Sequence, residues 1–303
     1  MPHSTSLTDP DAVIDLLGRA AAALRTTTCR RGCCDVVPAR GRLVATGDLH
    51  DNPRHLQALV ALARLDESPD HHLVLHELIH GDRLINGVDL SHRMLLRTAG
   101  LVLLHPGQVH PLLANHELAQ LTGRGVSKGA GNSVELYDDG LEYVFGERWE
   151  DVAAALRTFV TAMPLALRSE PDASARAVLC AHSIPSPLTM RHFDAGVLDR
   201  ELEFEDFVGP SGAAYLMTWG RGQTAEQVRF LAEHWGVTLF CLGHEHVEEG
   251  IRLDAERIVR INSDHAHGAA LVVDLARVVE PEAAVDGAVR LASVPRPHEG
   301  ASS

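Results

Sequence analysis

Side chains able to bind metal ions follow one apolar run after another in this chain. That recurrence constrains the fold more than any other feature. The first case is "LVATGDLHDNP" from Leu43, where a strand-like run meets Gly47 and then Asp48, His50, Asp51 and Asn52 in close succession. A turn needs one or two such residues, not all of them. Four later runs end in the same way: "HGD" (Asp82), "ANHE" (Asn115, His116), "AHS" (His182) and "GHEH" (His244, His246). In α/β proteins the ends of the strands line one edge of a sheet, and sites form there. The pattern predicts an α/β core that gathers two aspartates, one asparagine and five histidines at such an edge.

Periodicity supports the alternation that this core requires. Thr8 to Leu24 reads as an amphipathic helix started by Asp9-Pro10, and Leu43 to Thr46 as a strand. Asn52-Pro53 opens a helix with Leu56, Leu59, Val60 and Ala63 on one stripe. His72 to Leu75 is a second strand, "SHRMLLRTAGLVLL" a helix, and "VHPLLANHE" a third strand with a polar end. Leu121 to Gly146 holds Gly123, Gly125, Gly129, Gly131 and Gly140 before its last residue and reads as an irregular insertion or cap. A periodic helix with Trp149, Val152, Leu156 and Phe159 follows, then a buried strand in "AVLCAHS". Thr224 and Gln227 form a capping box, after which "VTLFCLGH", "EEGIRL", "RIVRIN" and "AALVVDL" predict a second sheet. The expected organisation is an N-terminal helix with a Cys-containing connection over 1–40, a main domain over 41–280 with a glycine-rich cap at about 121–146, and a disordered tail over 281–303.

Composition narrows the function classes. A formal charge of −14 in 303 residues repels a phosphate backbone, so nucleic acid is not the expected partner. No apolar run approaches the roughly 18 residues that span a bilayer, and the start lacks a secretory pattern, so a cytoplasmic protein without membrane contact is expected. Five cysteines, two of them inside apolar runs, argue against a disulfide framework. "CRRGCC" lacks the further ligands of a tetrahedral site and reads as a reduced surface loop.

The gathered donors mix hard oxygen with borderline imidazole, a set that suits Mn²⁺, Fe²⁺ or Zn²⁺. They are too many for one ion and fit two, provided one carboxylate bridges. The order GDxH, GD, NHE, His, GHxH resembles the calcineurin-like metallophosphoesterase superfamily, from about Leu43 to Leu275. That resemblance implies a four-layer α/β/β/α sandwich of two mixed sheets flanked by helices, with a two-metal centre. It implies Asp48, His50 and His246 on one ion, Asn115, His182 and His244 on the other, and Asp82 bridging. His116 would protonate the leaving oxygen of a phosphorylated protein or small molecule. A hydrogen-bonded core histidine is the plain alternative for His182, and a structural role is the plain alternative for His116.

"WGRGQ", "GHEHVEEGI" and "INSDHAHGAALVVDL" make the resemblance closer to the phosphoprotein phosphatase branch, which includes serine/threonine phosphatases and diadenosine tetraphosphate hydrolases. There an arginine holds phosphate oxygens, which nominates Arg221, with Arg83 as a second guanidinium. The branch's GDxxDRG is "GDRLING" here, with Ile85 and Asn86 at the positions of the orienting aspartate and the arginine. "HELIH" (His76 to His80) matches the zinc-protease pattern HExxH literally. That chemistry needs a long helix, whereas this segment reads as a histidine-rich strand end. The expected activity is metal-dependent hydrolysis of a phosphomonoester. The alternatives are a nucleotide phosphodiesterase or dinucleoside polyphosphate hydrolase, and a metal-binding protein whose catalysis has decayed.

Overall fold

A computed structural model describes residues 7–124, 127–128 and 131–295. Helix α1 (Pro10–Thr26) begins where the Asp9 side chain accepts the amides of Asp11 and Ala12 and Pro10 sits in the first turn. Strands β1 (Arg30–Arg31), β2 (Cys34–Val37) and β3 (Arg42–Ala45) follow, then α2 (Pro53–Ala63), capped by Asn52. Strand β4 (His71–His76), α3 (His92–Leu104), β5 (Val109–Leu112) and α4 (Asn115–Thr122) continue the alternation. A small hairpin of β6 (Ser127–Lys128) and β7 (Gly131–Asn132) precedes α5 (Ser133–Phe145) and α6 (Trp149–Val160).

Strands β8 (Ala166–Ser169) and β9 (Val178–Ala181) lead to α7 (Phe204–Phe207), α8 (Ala213–Trp219) and α9 (Ala225–Trp235), the last capped by Thr224. Strands β10 (Leu239–Leu242), β11 (Ile251–Asp254), β12 (Ile258–Ile261) and β13 (Ala269–Asp274) come next. Helix α10 (Pro281–Asp286) and β14 (Val289–Arg290) follow them.

Two mixed sheets stack between helices. One runs β1-β2-β8-β9-β10-β12-β11, the other β14-β13-β3-β4-β5. Strand alternation divides the core between two faces. Leu43, Ala45, Val178, Cys180, Leu239 and Cys241 pack in the layer between the sheets. Their neighbours Val44, Leu179, Ala181, Phe240 and Leu242 face the helices. Each fully buried Val, Leu or Phe among them stabilises the fold by about 1.5–3 kcal/mol. Among the described residues no helix is long and apolar enough to cross a membrane.

Parallel pairing sets where the polar clusters fall. Strands β3, β4 and β5 run parallel, as do β9, β10 and β12, so their C-terminal ends lie together within each sheet. Asp48 joins the two edges, with parallel bridges to His76 in one sheet and Asn262 in the other. Gly47 permits this approach, because a Cβ there would lie 1.8 Å from the Ile261 carbonyl oxygen.

Three expectations differ from the structure. "CRRGCC" is not a surface loop but the β1–β2 hairpin, with Cys33 and Cys34 buried because β2 joins the larger sheet and thiols pack as small hydrophobes. All five cysteines are free. Among its described residues the glycine-rich segment is largely helical: α5 buries Val134, Tyr137 and Leu141, and Gly140 lets it approach the Asp89 carbonyl; residues 125–126 and 129–130 lie outside those described. The expected tail contains α10 and β14, and β14 pairs with β13; residues 296–303 lie outside those described.

Candidate metal centre

Each cluster residue is held by backbone as well as side-chain geometry. After β3 the amides of Leu49 and His50 both donate to the Glu77 carbonyl, at 3.0 and 2.8 Å. His50, Asp51, Glu77, His80 and His244 all have φ between 39° and 68°, half of the ten non-glycine residues in that region among those described. Such conformations cost about 1–3 kcal/mol each and concentrate where function over-determines the backbone. Glu117, the last residue of "NHE", anchors the turn after β4: its Oε1 accepts the amides of Leu78 and Ile79 at 2.7 and 3.3 Å.

His182 Nε2 is the hub. Around it lie Asn115 Oδ1 at 2.5 Å, Glu77 Oε2 at 2.7 Å and His244 Nδ1 at 3.2 Å. His244 Nδ1 is in turn 3.0 Å from Asn115 Oδ1. Donors about 2.1 Å from one cation at right angles to each other are about 3 Å apart, so this spacing fits a common ion. Asp48, His50 and Glu77 form an overlapping group whose ligand atoms all lie within 4.8 Å of one another. There Glu77 Oε1 faces His50 Nε2 at 3.5 Å. His50 Nδ1 lies 3.0 Å from the Ile79 carbonyl, which only accepts, so the proton sits on Nδ1 and Nε2 offers a lone pair. Asp48 Oδ1 accepts the His244 amide at 2.9 Å. Gly243 makes room for the pair, since a Cβ there would lie 2.3 Å from that oxygen.

Burial favours the neutral imidazoles that metal binding requires. It holds His182 well below its ordinary range, and neighbouring His244 adds to the effect. Burial, then the Arg221 and Arg260 guanidinium groups, push His244 down to about 3.

A cavity of about 200 Å³ opens onto these groups, lined among others by Asp48, Glu77, His116, Arg221 and His246. His116 Nε2 is 3.3 Å from Glu77 Oε1, and its ring meets those of His50 and His80 edge-on. Arg221 is exposed at the mouth, its amide donating to Ser186 Oγ and its guanidinium to the His244 carbonyl. His246 is exposed and its ring packs beside His265.

The structure thus brings together Asp48, His50, Asn115, His116, His182, His244, His246 and Arg221. It does not bring Asp82 or Arg83. Strand β4 runs on through His76, so the first carboxylate beyond it is Glu77, while Asp82 is exposed past Gly81 and lies outside the cavity lining. Arg83 is exposed as well and pairs with Asp51 at 3.4 Å. Sequence reasoning passed over Glu77 because it lay inside the dismissed "HELIH". Its signal in the sequence is weaker than that of the other ligands, because His76 separates it from the apolar run of β4. Asn262 and Asp264, which also line the cavity, follow β12.

A sandwich of two mixed sheets carries this cluster where their edges meet. A family model for calcineurin-like phosphoesterases matches residues 41–248, and the chain belongs to that family. The family uses divalent metals, and the donor set here fits them. No curated protein sequence matches the chain. Among solved structures it is similar to a Saccharomyces cerevisiae protein serine/threonine phosphatase with similarity to human phosphatase PP5. That likeness has a TM-score of 0.63 at 13% identity over 88% of this chain and 83% of that one. It is also similar to a cold-active protein-tyrosine phosphatase of a psychrophilic Shewanella species, with a TM-score of 0.55 at 17% identity over 84% and 82% of the two chains. At these identities the likeness establishes the fold.

Proposed function

We propose that the protein hydrolyses phosphomonoesters at a centre of two divalent cations, manganese first, with iron or zinc as alternatives. The observation that carries this reading is the crowding of Glu77, Asn115 and His244 around one nitrogen of His182, with a second donor group sharing Glu77. Asp48, His50 and His246 would hold one cation, and Asn115, His182 and His244 the other. Glu77 would be a ligand of both, in the place expected of Asp82. Bound cations would polarise the phosphoryl group and make water nucleophilic near neutral pH.

The remaining chemistry belongs to the chain. His116, beside Glu77 and facing the cavity, protonates the departing oxygen. Arg221, exposed at the cavity mouth, orients a phosphoryl oxygen. A phosphoserine or phosphothreonine protein is the favoured substrate class, supported by the protein phosphatases among the fold neighbours. Five free thiols support a reducing, cytoplasmic setting.

Elemental analysis together with p-nitrophenyl phosphate turnover tests the reading. Activity should require manganese and disappear with a chelator, and the mono ester should outrun bis(p-nitrophenyl) phosphate. Turnover indifferent to metal removal would reject the mechanism, and preference for the bis ester would reject the substrate class.

A further inference from the structure

We propose that His76 is a positioning residue that fixes the tautomer of His182, holding the His182 proton on Nδ1 so that Nε2 keeps its lone pair for the metal centre. The proposal rests on the two-cation reading above and assigns a task to a histidine that this reading does not use.

Proton counting along a buried chain of contacts leads there. The Thr46 carbonyl oxygen lies 2.8 Å from His76 Nε2, and a carbonyl can only accept. His76 therefore carries its proton on Nε2, and its Nδ1 offers a lone pair. That Nδ1 is 3.0 Å from His182 Nδ1, where two bare nitrogens would repel. The bridging proton must come from His182, so His182 is the Nδ1–H tautomer. Its Nε2 is then bare while facing Asn115 Oδ1 at 2.5 Å and Glu77 Oε2 at 2.7 Å. Three electron-rich atoms at these distances are reconciled by a shared cation.

Without His76 the balance reverses. A proton on His182 Nε2 would donate to the Glu77 carboxylate or the Asn115 oxygen, and the ligand position would close on itself through hydrogen bonds. His76 opposes that tautomer by giving Nδ1–H a better partner, as outer groups do around metal-binding histidines generally. The fold keeps the partner in place. His76 is fully buried as the last residue of β4, its backbone bridges to Asp48, and glycine at 243 leaves room for its ring, since a Cβ there would lie 2.5 Å from His76 Cε1.

The test reads the tautomer directly. Protein labelled with ¹⁵N at histidine is compared in zinc-loaded and metal-free forms by long-range proton–nitrogen correlation, with His76→Gln assisting assignment. The expected result in both forms is a proton on Nδ1 of His182 and on Nε2 of His76. A proton on His182 Nε2 overturns the proposal. So does the loss of the His182 Nδ1 proton on zinc addition, which would place an ion among Asp48, His76 and His182 instead.

Zinc affinity by chelator competition gives a second reading. His76→Gln retains an acceptor for His182 and a donor for Thr46, and should bind within about threefold of the parent. His76→Leu should lose about 10–100-fold. A folded His76→Leu protein with parental affinity overturns the proposal; if that variant does not fold, the tautomers of the parent and the Gln variant decide. A parent protein that takes up no metal and cleaves no phosphoester would instead reject the two-cation reading, and the tautomer measurement would still report on His76.

Discussion

His182, Asn115 and His244 are buried and sit 2.5–3.2 Å from one another, whereas Arg221 and His246 stand exposed at the mouth of the same cavity. His50 is intermediate, with 15% of its side chain exposed. The inner half is therefore preorganised by packing, and its cost is the burial of uncharged imidazoles beside carboxylate and amide oxygens. The outer half keeps contact with water, as a site that admits phosphorylated substrate must. Glu77 belongs to both, one oxygen toward His182 and the other toward His50 and His116.

Removing the shared residue should break the contrast most severely. Glu77→Ala is expected to lose metal from both halves and to lower kcat by about 10³-fold or more. Retained metal with near-parental turnover would mean that the halves are not joined through this carboxylate. Next in size, His116→Asn should lower kcat by about 10²–10⁴-fold while metal content stays parental. Loss of metal from that variant would make His116 a ligand. Arg221→Ala removes one charge-assisted contact at the open face, so KM should rise about tenfold with a smaller change in kcat. A fall in kcat at constant KM would place its role in the transition state alone.

Four buried histidines, of which only His76 and His244 belong to the centre, predict an acid response of the metal-free fold. Burial pushes His76 and His92 down to about 4, and His72 and His244 to about 3, from an ordinary value of 6.5. The unfolded chain thus binds more protons below pH 6.5, and stability falls as pH drops from there toward 4. The denaturant midpoint of chelated protein should be lower at pH 5 than at pH 7.5, and equal midpoints would contradict buried neutral imidazoles. The smallest effects belong to residues outside the cavity. Asp82→Asn and Arg83→Gln should each stay within about twofold of parental turnover, and a large loss in either would restore them to the site.

How much of this centre is legible in sequence follows from the same contrast. Asp48, Asn115, His182 and His244 each come shortly after an apolar strand, so period and polarity point to them directly. Glu77 does not stand out, because β4 ends in a buried histidine rather than an aliphatic residue. Where that strand stops depends on what His76 touches, Thr46 beyond the neighbouring strand and His182 from the other sheet, and no local pattern carries this. The "GD" at Gly81-Asp82 then offers a more motif-like alternative five residues further on. A similar limit hid β2, whose Cys34 is buried only because β8 arrives beside it from more than a hundred residues away. Strands β3, β4, β5 and β9 to β13, and helices α1, α2, α3, α6 and α9, are readable because alternation and caps are local, whereas the short β1, β6, β7 and β14 carry too few residues to show a period.

The central claim is that two cations sit at the junction of the sheets and share Glu77. The most direct measurement is an anomalous-difference map from crystals of the manganese-loaded protein. Two peaks are predicted, one in reach of Asn115, His182 and His244 and one in reach of Asp48, His50 and His246, with Glu77 between them. A map empty in this cavity, or with its peak at Asp82, would contradict the account.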